Sequence, residues 1–222
     1  MDTLILQYDD RDVSQFSKLM SKNQEYAKKL GYKYLFIKRG YTEYPPYWRK
    51  VFIIRDLLAL YSIIIWVDTD AAIVSNESIE FTFKHNTHIS FSENPRLIGV
   101  KLIDDMQVAP FCAGVFAIRN TPEAKTLLEY WIKGYDKTKW KIDIHGKWVC
   151  AGLYAGKYYE QGAFQLNIFD TQDFSKWCSQ WDSNVMNYLP KDDHKLKNTL
   201  CPNTFAIHYW GGNRKTIPKH FY

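Results

Sequence analysis

A chain of 222 residues that is 46% hydrophobic and 17% aromatic can bury a sizeable core, which excludes a disordered segment and favours one domain. Lys and Arg outnumber Asp and Glu by 29 to 24, a surplus that permits an anionic ligand; the basic residues are scattered, so no nucleic-acid partner is expected. Cys112, Cys150, Cys178 and Cys201 lie far apart without a C-x-x-C pair, against a zinc site, and no apolar run reaches the ~18 residues of a membrane span, so the expectation is a cytoplasmic protein with reduced thiols and no transmembrane segment.

Leu4 to Tyr8 reads as a short strand, followed by the polar stretch Asp9 to Asp12. Phe16, Leu19, Met20, Ala27 and Leu30 then recur at helical spacing, with Gly31 where a C-cap belongs. "YKYLFIK" reads as a second strand, and Pro45 and Pro46 introduce a helix expected from Tyr47 to about Tyr61. The apolar run Ile63 to Val67 is a third strand. Alternating strands and helices predict an α/β fold, a Rossmann-like, mostly parallel sheet flanked by helices, with ligands beyond the C-terminal strand ends.

Later, "HISFSE" and "FCAGVFAIRN" read as strands, and "TPEAKTLLEYWIKG" as a helix with Thr121 as N-cap, Pro122 in its first position and Gly134 past its end. "GYDKTKWKIDIHGKWVCAGLYAG" reads as a loop or lid, "YEQGAFQLNIF" as a short helix, and "TFAIHYWGGNRK" as a last strand opening into a Gly-bearing basic loop.

The third strand runs into Asp68, Thr69 and Asp70. If the chain stays extended, both carboxylates lie on one side with Thr69 opposite. Like charges aimed at one point need a cation between them, and a hard ion such as Mn²⁺ or Mg²⁺ takes oxygen ligands while leaving positions for water and a diphosphate. A solvated strand-end turn is the plain alternative for a bare D-x-D.

In sequence order, "WRKVFIIRDLLALYSIIIWVDTDAAI", "FCAGVFAIRN", "YEQGAF" and "HYWGGNRK" together resemble a metal-dependent GT-A glycosyltransferase. The likeness is to the fungal α-galactosyl and α-mannosyltransferases and plant xyloglucan xylosyltransferases, and more distantly to the glycogenin and bacterial galactosyltransferase group. It spans roughly Leu4 to Lys215, within one GT-A domain over 1–222. The implied division is a nucleotide-binding half over about 1–75 and an acceptor and sugar half over about 76–222.

The resemblance implies that Asp68, Asp70 and His208 bind the metal, with Asp68 also touching the donor's ribose or sugar and Thr69 between them in the donor site. It implies that Gly211, with Arg214 or Lys215, meets the diphosphate. Gln7, Tyr8, Asp9 and Arg11 are implied to hold base and ribose, with Tyr8 the stacking ring, although helix capping explains Asp10 and Asp12 as well. Lys50 matches a position near the donor phosphates or sugar, with Arg49 as its alternative. Gly114 keeps the floor of the sugar pocket open. Glu160 stands where relatives have Asp against the sugar hydroxyls, and Gln161 lies beneath the anomeric carbon.

The implied activity is transfer from a nucleotide-diphosphate sugar, most simply a UDP-sugar, to a glycan or glycoconjugate hydroxyl with retention. Related enzymes are often membrane-tethered, so a soluble catalytic domain of such a protein is also compatible. A metal-dependent phosphohydrolase or nucleotidyltransferase, and a non-catalytic carbohydrate-binding module, are the rival readings.

Overall fold

The computed structural model describes residues 2–93, 111–186, 188 and 203–209. Strand β1 (Thr3–Tyr8), helix α1 (Ser17–Leu30), β2 (Lys33–Ile37), α2 (Pro46–Leu57), β3 (Ile63–Val67) and the short β4 (Ala71–Ile73) form the first part. Then come β5 (Ile89–Glu93), β6 (Phe111–Arg119), α3 (Pro122–Lys133), β7 (Trp140–Ile142), β8 (Trp148–Cys150), α4 (Glu160–Phe164), β9 (Cys178–Trp181) and β10 (Ala206–His208).

The central sheet has six strands in the order β2-β1-β3-β6-β5-β9. Five run in one direction, and β6 alone is antiparallel to its neighbours β3 and β5. The strands sort their side chains by period two. Leu4, Leu6, Ile64, Trp66, Phe116 and Ile118 pack with α2, α3 and α4 on one face, while Ile5, Ile63, Ile65, Val115 and Ala117 pack with Tyr26 and Ala27 of α1 on the other. Burial on both faces explains why β3 is an unbroken apolar run.

The local signals behave as their chemistry dictates. Gly31 takes φ 70° after α1, the left-handed conformation that a side chain disfavours. The Thr121 hydroxyl accepts from Ala124 N at 3.1 Å and caps α3. Helix α2 ends at Leu57, short of the expected Tyr61, and tightens into a 3₁₀ turn over Leu58–Leu60. The stretch expected to be a loop folds in part as the antiparallel hairpin β7/β8, pairing Trp140 with Cys150 and Ile142 with Trp148. Each strand has only three residues, too few for a period of two to be read from sequence.

A second, two-stranded sheet matters most for function. β4 leaves the central sheet immediately after the carboxylates and pairs antiparallel with β10, which sets His208 opposite Ala71. The other side of β4 is held by Asn23 of α1, whose amide donates to Ala71 O at 3.0 Å and accepts from Ile73 N at 2.8 Å. Among the described residues, no helix is long and apolar enough to cross a membrane.

Candidate active site at the carboxylate turn

The chain does not stay extended through Asp68 and Asp70. β3 stops at Val67, and Ala71 N donates to Asp68 O at 3.0 Å, closing a turn. The turn is fastened from three sides. Asp68 N donates to Gly114 O at 2.8 Å, Gln7 Nε2 donates to Asp68 O at 3.2 Å, and Thr69 Oγ1 donates to the Asp9 carboxylate at 2.7 Å.

Both carboxylates still converge, now on a histidine 138 residues further along the chain. His208 Nε2 lies 3.1 Å from Asp70 Oδ1 and 3.8 Å from Asp68 Oδ2. One ligand atom from each of Asp68, Asp70 and His208 falls within 4.8 Å of the others, a group able to hold a metal ion. Asp70 and His208 are buried, whereas Asp68 is half-buried and opens the group to solvent. Burial disfavours a charged imidazole, but the Asp70 charge and hydrogen bond prevail and hold His208 up to about 10.

Gly114 makes room for the histidine. A Cβ there would lie 2.1 Å from His208 Cε1 and 2.3 Å from Nδ1, so its missing side chain is the seat of the imidazole.

Of the neighbouring cations Arg49 and Lys50, Lys50 is the one that reaches the carboxylate turn. Its Nζ donates to Asp68 Oδ1 at 3.1 Å and to Ala113 O at 2.8 Å, inside the protein. Burial works against that ammonium, yet Asp68 and then Glu160 keep its pKa raised. Arg49 faces the other way, with Nε on Tyr44 O at 3.0 Å and Nη1 on Tyr8 OH and the Asp10 carboxylate. Trp66 also donates to Asp68 Oδ1, at 2.7 Å. Thus Oδ1 of Asp68 is held by two donors, and its Oδ2 is the atom turned towards His208.

The residues at the end of β1 are brought to the site, but mostly as supports. Gln7 is buried, and its amide oxygen accepts from Tyr34 OH at 2.7 Å while its nitrogen holds Asp68 O. Tyr8 packs in the core with its hydroxyl donating to Gly40 O and Arg49 over its ring, leaving little ring surface to stack on a base. Asp9 is buried against burial's own preference for the neutral acid; hydrogen bonds from Arg11 and Thr69 nevertheless hold its pKa low. Arg11 grips Asp9 at 2.8 and 2.7 Å while its side chain stays 59% exposed. Its pKa is raised first by the Asp9 hydrogen bonds, with smaller contributions from the charges of Asp70 and Asp68, so it is a cation at the rim of the carboxylate group.

Glu160 and Gln161 open α4, buried beneath β6. Gln161 Nε2 donates to Phe111 O at 2.5 Å. Glu160 Oε2 has no hydrogen-bond partner among the described residues. Burial pushes the Glu160 carboxyl up to about 7, with Lys50 pulling the other way. Gly211, Arg214 and Lys215 lie outside the described residues. Sequence reading missed Trp66 and Asn23; Trp66 had a signal, since two residues before Asp68 on a strand is the same side, whereas Asn23 had none.

A mostly parallel sheet with one reversed strand, and an Asp-Asp-His group at the end of its central strand, is the architecture of a glycosyltransferase of the GT-A kind. Residues 5–196 match the model of the galactosyl transferase GMA12/MNN10 family, and the chain belongs to that family and is a glycosyltransferase. No curated protein sequence matches the chain. Among solved structures, it is similar to a glycosyltransferase involved in the glycosylation of the major capsid of PBCV-1, at 14% identity and TM-score 0.64, covering 100% of this chain and 98% of that one. It is also similar to the glycosyltransferase GlyE of Streptococcus pneumoniae TIGR4, at 13% identity and TM-score 0.56, over 96% of this chain and 56% of that chain. The bifunctional glycosyltransferase WbbM aligns at 11% identity and TM-score 0.59, over 96% of this chain and 46% of the other. At such identities the likeness establishes the fold.

Proposed function

We propose that this glycosyltransferase is metal-dependent, uses a nucleotide-diphosphate sugar, most simply a UDP-sugar, and transfers the sugar to a glycan or glycoconjugate hydroxyl with retention of configuration. The observation that carries the reading is the convergence of Asp68, Asp70 and His208 within 4.8 Å, with Asp70 and His208 separated by 138 residues in the chain. Two carboxylates and an imidazole are a donor set that suits Mn²⁺, and Mg²⁺ less well. The seat that Gly114 leaves for His208 supports the same fit. A bound divalent ion supplies charge compensation for a departing diphosphate.

The chain's own residues divide the remaining work. Trp66 and Lys50 fix Asp68 by one oxygen, so the other is presented in a set direction. Arg11, exposed at the rim, offers a second cation to the diphosphate, beside whatever Arg214 or Lys215 contributes. Glu160 offers an unpartnered buried oxygen to a donor sugar hydroxyl, a contact that its partial protonation near neutral pH lets it make as donor or acceptor. Gln161, tied to Phe111 O, is held still beneath the sugar and is a poor nucleophile. In the retaining route, the bond from the anomeric carbon to the diphosphate oxygen breaks and a bond to the acceptor oxygen forms on the same face. The acceptor proton passes to the leaving phosphate.

The test is turnover of a panel of nucleotide sugars, read as nucleoside diphosphate release with Mn²⁺, Mg²⁺ or chelator. Metal-dependent release that Asp70→Asn abolishes supports the reading. Release untouched by chelation, or hydrolysis of simple phosphate esters alone, contradicts it.

A further inference from the structure

Near Lys50 and Glu160, the protein exposes aromatic rings that the chemistry so far leaves unused. Tyr47 is 37% exposed, Leu153 45% and Tyr154 59%. Tyr47 lies in the first turn of α2, three residues before Lys50 and therefore on the same side of the helix. Its ring centroid is 5.8 Å from that of Tyr154 and 4.9 Å from that of Tyr159, the residue immediately before Glu160. Tyr154 and Tyr159 are 5.4 Å apart, and Trp140 backs Tyr159 at 4.9 Å.

The cluster is fixed in place. Tyr158 O accepts from the indoles of both Trp48 and Trp140, at 2.9 and 3.1 Å, tying the 151–159 segment to α2 and to the hairpin. Gly162 lets that segment press on α4, since a Cβ there would meet Gly156 O at 2.1 Å. The phenol of Tyr154 is pushed up by burial and then by the charge of Glu160, with Tyr47, Cys112 and Asp68 adding, while the residue as a whole stays 59% exposed.

We infer that Tyr47, Leu153, Tyr154 and Tyr159 form the stacking platform for a pyranose ring of the acceptor glycan, next to the centre where its hydroxyl is to react. The chemistry favours a sugar over other apolar ligands. A pyranose presents a face of C–H groups that lies on an aromatic ring and a rim of hydroxyls that phenol groups can reach, and tyrosine supplies both in one rigid side chain. Among the described residues, the four side chains themselves carry no charge to offset an anionic donor, and the charge of Glu160 acts on Tyr154 and Tyr159. The inference rests on the proposed donor site at Asp68, Asp70 and His208 for its assignment to acceptor rather than donor.

The probes are methyl glucopyranoside, methyl galactopyranoside and methyl mannopyranoside, titrated into the full chain with ring-labelled tyrosine and followed by NMR, with sorbitol as the acyclic control. UDP with Mn²⁺ is titrated separately by calorimetry on the same samples. At least one methyl pyranoside is expected to shift the Tyr47 and Tyr154 ring signals saturably, and sorbitol to leave them in place. Tyr154→Ala weakens that binding about tenfold and Tyr154→Phe largely restores it, while the UDP midpoint moves less than about twofold. Rings unmoved by every pyranoside, rings moved equally by sorbitol, or an alanine variant that loses UDP binding in parallel would each overturn the platform. Failure of UDP to bind the wild-type protein, with the pyranoside shifts intact, would leave the platform standing and overturn the donor-site reading.

Discussion

Replacing Gly114 by alanine adds a single methyl group, and the structure says where it goes. It meets the His208 ring at 2.1 Å from Cε1, and ordinary contact begins at 3.4 Å, so the imidazole must retreat by about 1.3 Å or β6 must give way. β6 is paired on both sides, with β3 and β5, and carries core residues on both faces, so the ring is the part that moves. Nε2 now sits 3.1 Å from Asp70 Oδ1, and a displacement of that size disturbs both that hydrogen bond and the ligand position. Overpacking of this kind costs about 1–3 kcal/mol of stability. Losing one of three ligand positions should weaken Mn²⁺ binding by at least about 10-fold to 100-fold, the range seen when a ligand is disoriented. Thermal unfolding reads the first quantity and calorimetric Mn²⁺ titration of the folded variant the second. A Gly114→Ala protein with the wild-type melting temperature and wild-type Mn²⁺ affinity would refute the placement of His208.

Three further outcomes follow from individual contacts. Glu160 is fully buried and its carboxyl is raised from 4.5 to about 7, so the folded state holds its proton more tightly than the unfolded chain; this contribution is full below pH 4.5 and is lost as pH rises through 7, about 3 kcal/mol in all. Glu160→Gln should remove that decline, and urea unfolding at pH 5 and pH 8 that shows the same decline in the variant would count against it. Asp9 has the opposite sign: its folded pKa is lowered, so its stabilisation is present above its usual 3.8 and is lost as pH falls through the folded value, and Asp9→Asn should unfold less steeply on the acid side. Asn23→Ala orphans Ala71 O and Ile73 N on β4 and should cost about 2–4 kcal/mol in urea unfolding, and a loss well under 1 kcal/mol would show that β4 does not depend on it.

The parts of the fold that were legible are those whose side chains announce their surroundings. β1, β2 and β3 are apolar or aromatic runs, α1 and α3 carry their caps in sequence, and the alternation of strands and helices specified a parallel sheet. The β7/β8 hairpin was not legible, because its strands have only three residues each, too few for alternation to stand out. The turn at Asp68 was equally hidden, since the backbone bond from Ala71 N and the brace from Gln7 leave no trace in local composition. β4 and β10 have three residues each and pair across more than a hundred positions, too short and too distant for periodicity to reveal. The candidate site followed the same rule. Asp68, Asp70 and His208 were found from motif order, while the reasons for their geometry, Gly114 under the imidazole and Trp66 and Lys50 on one oxygen of Asp68, required the packed structure.

Asp68, Asp70 and His208 are proposed to hold a metal ion through which a nucleoside diphosphate binds. Calorimetric titration of UDP into the protein, with and without Mn²⁺, tests it most directly. UDP binding is expected to appear with Mn²⁺, disappear with chelator and be lost in Asp70→Asn. UDP binding of equal strength with and without the ion, unchanged by Asp70→Asn, would contradict it.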